Sequence, residues 1–100
     1  MVLQQIAITG SMNTLGPGVY TITAAAAGAT LTLENWAYWP DESQSILVKD
    51  TTGSPSLTVA PPVGGTIDGQ ASVTISNGYE SLTFRPFFSG SGNGMNWIIT

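Results

Sequence analysis

Apolar side chains recur at every second position through most of this chain, the period of a strand with one face buried. In "QQIAIT" the pattern puts Ile6 and Ile8 on one face. In "GVYTIT" Tyr20 and Ile22 alternate with Val19, Thr21 and Thr23. Leu31 goes with Leu33, Leu57 with Val59, Val73 with Ile75 and Leu82 with Phe84, and "NWIIT" supplies a last strand. "SILVKD" is apolar at Ile46, Leu47 and Val48, as in a strand covered on both faces. Threonine fills many alternate positions, where a β-branched polar side chain suits an outward face. The only helix-like stretch, "AAAAG" from Ala24 to Gly28, has room for a single turn.

Between the runs lie "LGPG", "TTGSP", "PPVGG", "SNGY" and "SGSGNG", all turn chemistry. Short strands so punctuated predict an all-β fold, a small antiparallel β-sandwich or jelly-roll-like barrel. The stretch from Thr66 to Phe84 predicts a hairpin centred on a type I′ turn at Asn77-Gly78. Val73 then faces Leu82, Thr74 faces Ser81, and Ala71 meets Phe84, so the apolar members share a side. Glu80 opposite Ile75 is the one conflict. "TLTL", "SLTV", "SVTI" and "SLTF" begin at Thr30, Ser56, Ser72 and Ser81, at intervals of 26, 16 and 9 residues. A solenoid needs a fixed period, so these read as similar strands and not as repeats.

Charge changes the picture more than length does. The 100 residues make one domain, and only 8% of them are charged, against about 25% in an ordinary soluble domain. With 42% hydrophobic residues and a net charge of −4 the chain should fold. Its Ser/Thr/Gly surface offers little repulsion to contact, which favours a homo-oligomer or a place in a larger assembly. Lys49 and Arg85 are the only basic residues. Two cations cannot neutralise a run of phosphates, so neither nucleic acid nor an anionic membrane is an expected partner. No apolar run is long enough for a transmembrane helix, and "MVLQQIAITG" lacks the basic and apolar regions of a signal peptide.

The residues offer little chemistry. There is no Cys and no His, which removes the commonest general base and the commonest transition-metal ligand. The acids are Glu34, Asp41, Glu42, Asp50, Asp68 and Glu80. Asp41 and Glu42 are sequence neighbours, whereas a glycosidase pair faces itself across a sugar. Asp68-Gly69 reads as a turn, since no alternating oxygen ligands follow it. The serines lack an activating base, and no S-x-x-K spacing is present. No catalytic residue, cofactor or metal is therefore expected. The aromatic groups remain: Trp36, Tyr38 and Trp39 in "ENWAYWP", and Phe87 and Phe88 in "RPFF". They either complete the core, dock a partner protein or stack on glycan. Residues 1–17 are either an N-terminal arm or an edge strand ahead of a single β-domain at 18–100. Exchanged between subunits, that strand would add Ile6 and Ile8 to the interface.

Four stretches, "GVYTITAAAAGATLTL", "ILVKDTTGSPSLTVAP", "TIDGQASVTISNGYESLTF" and "GMNWIIT", together resemble a β-domain of tailed-phage virion proteins. The similarity lies in the "G-x-Y-T-x-T-A-A" entry, the "I-x-V-K-N/D" strand, "T-I-D/N-G…Y-x-S-x-x-L/F" and the ending "N-W-x-I-I". It covers the chain from Gly18 to Thr100. The family occurs in tail fibres, tail spikes, head fibres and capsid decoration proteins. The resemblance implies a homotrimeric, non-enzymatic virion part, as a sandwich or as an interwound triple β-structure. The segments "FFSGSGNGMNW" and "WAYWPDESQ" depart from the family pattern. A chain of this length has room for a compact body and not for a fibre's attachment segment, shaft and tip. A capsid decoration (cement) protein on the capsid exterior, with the major capsid protein as partner, is the expectation. A tail-fibre or receptor-binding module for cell-surface glycan is the alternative.

Overall fold

The computed structural model describes residues 5–14, 18–23, 28–35, 45–87 and 96–100. Among these residues nine strands form: β1 (Gln5–Ile8), β2 (Met12–Asn13), β3 (Gly18–Ile22), β4 (Thr30–Thr32), β5 (Ile46–Asp50), β6 (Leu57–Ala60), β7 (Val73–Ile75), β8 (Ser81–Pro86) and β9 (Trp97–Ile99). They form a five-stranded sheet, β1-β3-β5-β8-β9, and a four-stranded sheet, β2-β4-β6-β7. The all-β sandwich read from the alternation is present, with no helix among the described residues. The single turn of helix expected in "AAAAG" falls largely on residues 24–27, outside the described residues.

The expected antiparallel pairing is corrected. Both sheets are mixed: β1, β3 and β5 run parallel, as do β2, β4 and β6, and only β7, β8 and β9 pair antiparallel. The chain alternates between sheets from β1 to β6, laying down three stacked rungs. Parallel neighbours need a crossover, and here the strand in the opposite sheet provides it. The second and third rungs are offset by 28 residues in both sheets, Gly18 on Ile46 and Thr30 on Thr58. The first is offset by 14 in one sheet and 19 in the other. The fixed interval that the recurring four-residue units lacked therefore exists between rungs two and three. It stacks Leu31 on Val59, not the two units start to start. All nine strands pair within one chain, unlike an interwound triple structure.

The expected hairpin is also corrected. β7 pairs with β6 and β8 with β5, in different sheets. The connection runs across the sandwich, so Ile75 and Phe84 are buried from opposite sides. That crossing removes the conflict of Glu80 against Ile75. The left-handed residue is Tyr79, with φ of 60°, and the Glu80 N–H donates to the Asn77 carbonyl. Gly78 and Tyr79 are thus the central pair of the turn. Two left-handed residues in succession, as a type I′ turn needs, occur instead at Asp68 and Gly69. There Ile67 and Gln70 exchange both backbone hydrogen bonds.

The two inner faces make one core. Ile8, Tyr20, Ile22, Ile46, Val48, Phe84 and Trp97 come from the larger sheet, and Leu31, Leu57, Val59 and Ile75 from the smaller. β5 alternates, with Leu47 half-buried between buried Ile46 and Val48, so it is fully covered on one face only. The Trp97 indole N–H is satisfied by the Glu34 carbonyl at 3.2 Å. At one corner Thr23 directs both its N–H and its hydroxyl to the Ile8 carbonyl, and Thr51 does the same to Ile22. These threonines close each rung onto the one before it.

Candidate partner-binding surfaces

The sandwich has two outer faces and two ends, each with its own chemistry. The outer face of the smaller sheet carries Thr30, Thr58 and Thr74 in one row and Asn13, Thr32 and Ala60 in the next. No strand of that sheet contains a charged residue. Both of the chain's cations, Lys49 and Arg85, stand on strands of the larger sheet.

One end is closed by a clasp around Asp50. Inward alternation places this carboxyl in the core at the end of β5, where it has no accessible surface. Its Oδ1 accepts from the Thr52 N–H at 2.9 Å and the Thr52 hydroxyl at 2.8 Å. Its Oδ2 accepts from the Gly53 N–H at 2.8 Å and the Tyr79 N–H at 2.7 Å. Burial by itself raises the carboxyl's pKa. The hydrogen bonds to the charged form, Tyr79 first and then Thr52 and Gly53, outweigh burial and bring it down to about 2. The Lys49 ammonium donates to the Tyr79 carbonyl and lies 6.0 Å from the centre of the Tyr79 ring. Packing explains the order of residues in this turn. A Cβ on Gly78 would stand 2.5 Å from the Gly53 carbonyl oxygen, and one on Gly53 would stand 3.2 Å from the Tyr79 ring. Glycine is required at 78 for clearance, and Tyr79 takes the left-handed conformation in its place. Asp50 is thus a structural charge, and nothing in the alternation of β5 marked it from its neighbours.

The opposite end carries two of the three exposed large apolar side chains among the described residues, and the third, Tyr79, is 62% exposed at the Asp50 end. Asn96 ties it together: its side chain accepts from the Thr66 N–H and hydroxyl, and its carbonyl accepts from the Phe87 N–H. Val63 is 96% exposed and Phe87 43% exposed, on the loops that leave β6 and β8 here. Asn35 and Ser45 are at the same end. The Glu34 carbonyl meets Trp97, and the Ser45 carbonyl accepts from Gly18.

The sequence-level candidates separate as follows. Phe87 is on this surface. Ile6 is half-buried and packs on the core, and Ile8 has no accessible surface, so in this chain Ile8 is a core residue. Trp36, Tyr38, Trp39 and Phe88 lie outside the described residues, as do Asp41 and Glu42. Val63, the most exposed large apolar side chain among the described residues, was missed, because a lone valine between "PP" and "GG" breaks no pattern. Asp68 is a turn residue whose Oδ1 accepts from the Ile99 N–H at 3.2 Å. Among the described residues no group of three or more acidic side chains could hold a metal ion. No family model matches the chain, and no curated protein matches it.

Proposed function

We propose that this protein is a structural, non-enzymatic component of a tailed-phage virion, a capsid decoration protein acting as a homotrimer on the capsid exterior. The observation that supports the reading is the end of the sandwich where Val63 and Phe87 stand in solvent. Docking of this end on a partner would remove both side chains from water. The sparse charge acts in the same direction, since little ionic desolvation opposes contact with the major capsid protein. The mechanism is linkage: a protein that binds the assembled shell and not its free subunits stabilises the shell by mass action.

The test is co-sedimentation with empty shells of the phage that encodes it. Saturable binding at a stoichiometry set by the shell lattice is expected, weakened at least tenfold by Val63→Asp combined with Phe87→Ser. Failure to bind shells, with binding to a glycan array that Trp36→Ala and Trp39→Ala abolish, would replace this reading with a receptor-binding or tail-fibre module.

A further inference from the structure

The two sheets have four edges, and three are protected. At β9 the outer edge is covered: Trp97 donates to the Thr66 carbonyl, its own carbonyl accepts from Asp68, and the Ile99 N–H meets the Asp68 carboxylate. β2 and β7 are two and three residues long. Among the described residues β1 is the exception, with β3 as its one neighbour. Its four residues, Gln5 to Ile8, contain no charge, no proline and no glycine, the usual devices that keep a sheet edge from pairing. A stacked-rung fold normally ends in a polar cap. Among the described residues this rung has none, and it leaves Ile6 and Met12 only half-covered against the core.

The direction of the free groups follows from one bond. The Thr23 N–H donates to the Ile8 carbonyl, so Ile8 turns its backbone towards β3. Backbone polar groups alternate along a strand, so Ile6 also faces β3, and Gln5 and Ala7 point their N–H and C=O groups away from the sheet. We infer that β1 pairs antiparallel with β1 of a second copy about a two-fold axis through Ile6. In that register Gln5 of each copy meets Ala7 of the other, and both outward residues exchange N–H···O=C bonds across the axis. Ile6 meets its own mate on the inner face, so the two cores become continuous across the joint. No other register of this strand on itself satisfies both residues. On a molecule of net charge −4 the contact brings no two charges together, because β1 carries none. The contact is isologous and closed. It does not depend on the proposed function; if trimers form as well, it joins them in pairs.

The chain has no cysteine, so a single introduced one reports without background. Opposed residues of this kind lie about 4.5 Å apart between Cα atoms, within disulfide reach. Under mild oxidant Ile6→Cys should cross-link most of the protein into dimers. Gln5→Cys, whose mate across the axis is Ala7, should remain largely uncross-linked. Light scattering should give an even multiple of the protomer mass for the unmodified chain. Ala7→Pro, which removes an outward donor and leaves the β3 ladder intact, should halve that mass while keeping the β-sheet circular dichroism. A mass of one or three protomers at the highest soluble concentration, an unchanged mass for folded Ala7→Pro, or equal cross-linking of the two cysteine variants would overturn the pairing. Should Ile6→Cys not fold, the two masses decide.

Discussion

Asp50 is the residue on which the clasp depends, and its sensitivity to pH has a definite sign. Its carboxyl titrates near 3.8 in an ordinary setting and at about 2 in the fold. A depressed folded-state value stabilises above the unfolded pKa and stops doing so as pH falls through the folded one. Unfolding in urea should therefore show stability declining from about pH 4 to about pH 2. Asp50→Asn should be less stable at neutral pH and lose most of that slope, because an amide presents N–H groups to the Gly53 or Tyr79 donors. A slope unchanged in the variant would assign the acid sensitivity elsewhere. Gly78→Ala tests the packing beside it. The added methyl would stand 2.5 Å from the Gly53 carbonyl, and overpacking of this kind costs about 1–3 kcal/mol. A midpoint equal to the unmodified protein's would show that the two turns can separate freely.

Among the elements, the rung corners are the repeated device. Thr23 and Thr51 each close one parallel strand onto the last carbonyl of the strand before it. Thr51→Val keeps the β-branched shape and removes the hydroxyl, and should cost about 0.5–1.5 kcal/mol in urea unfolding. Thr23→Val should behave alike, because the geometry is the same one rung earlier. The strands themselves were legible in the sequence, since period-two alternation records which side chains face inward whatever the partner strand is. The partners were not legible. "SNGYES" and "TTGSP" are short and turn-rich, and a short connection serves equally to fold a strand back in its own sheet or to carry it to the facing one. The conflict of Glu80 with Ile75 was the local sign that the hairpin register did not hold.

For the whole molecule, the decisive feature is that one chain completes its own core. Trp97, Tyr20 and Phe84, the largest fully buried side chains among the described residues, are covered without a second copy. On the pairing inferred for β1, a protomer released by Ala7→Pro should keep its cooperative thermal transition. Loss of that transition would mean that the core needs a neighbour. The proposed contacts at the strand edge and at the Val63–Phe87 end contain no ion pairs, so association through them should persist at about 1 M salt, where surface charges are screened within about 3 Å. Dissociation by salt in sedimentation velocity would point to charged contacts instead.

The sequence by itself determined the fold class, the inward and outward side of nearly every described strand, and the scarcity of charge. Each of these depends on a residue and its near neighbours along the chain. Only the tertiary structure decided that the strands stack as parallel rungs, that Asp50 holds two distant turns together, and that β1 stands at the edge of its sheet. Those depend on which segments meet across the sandwich, and alternation of period two reads the same in a parallel ladder, an antiparallel one or an open edge.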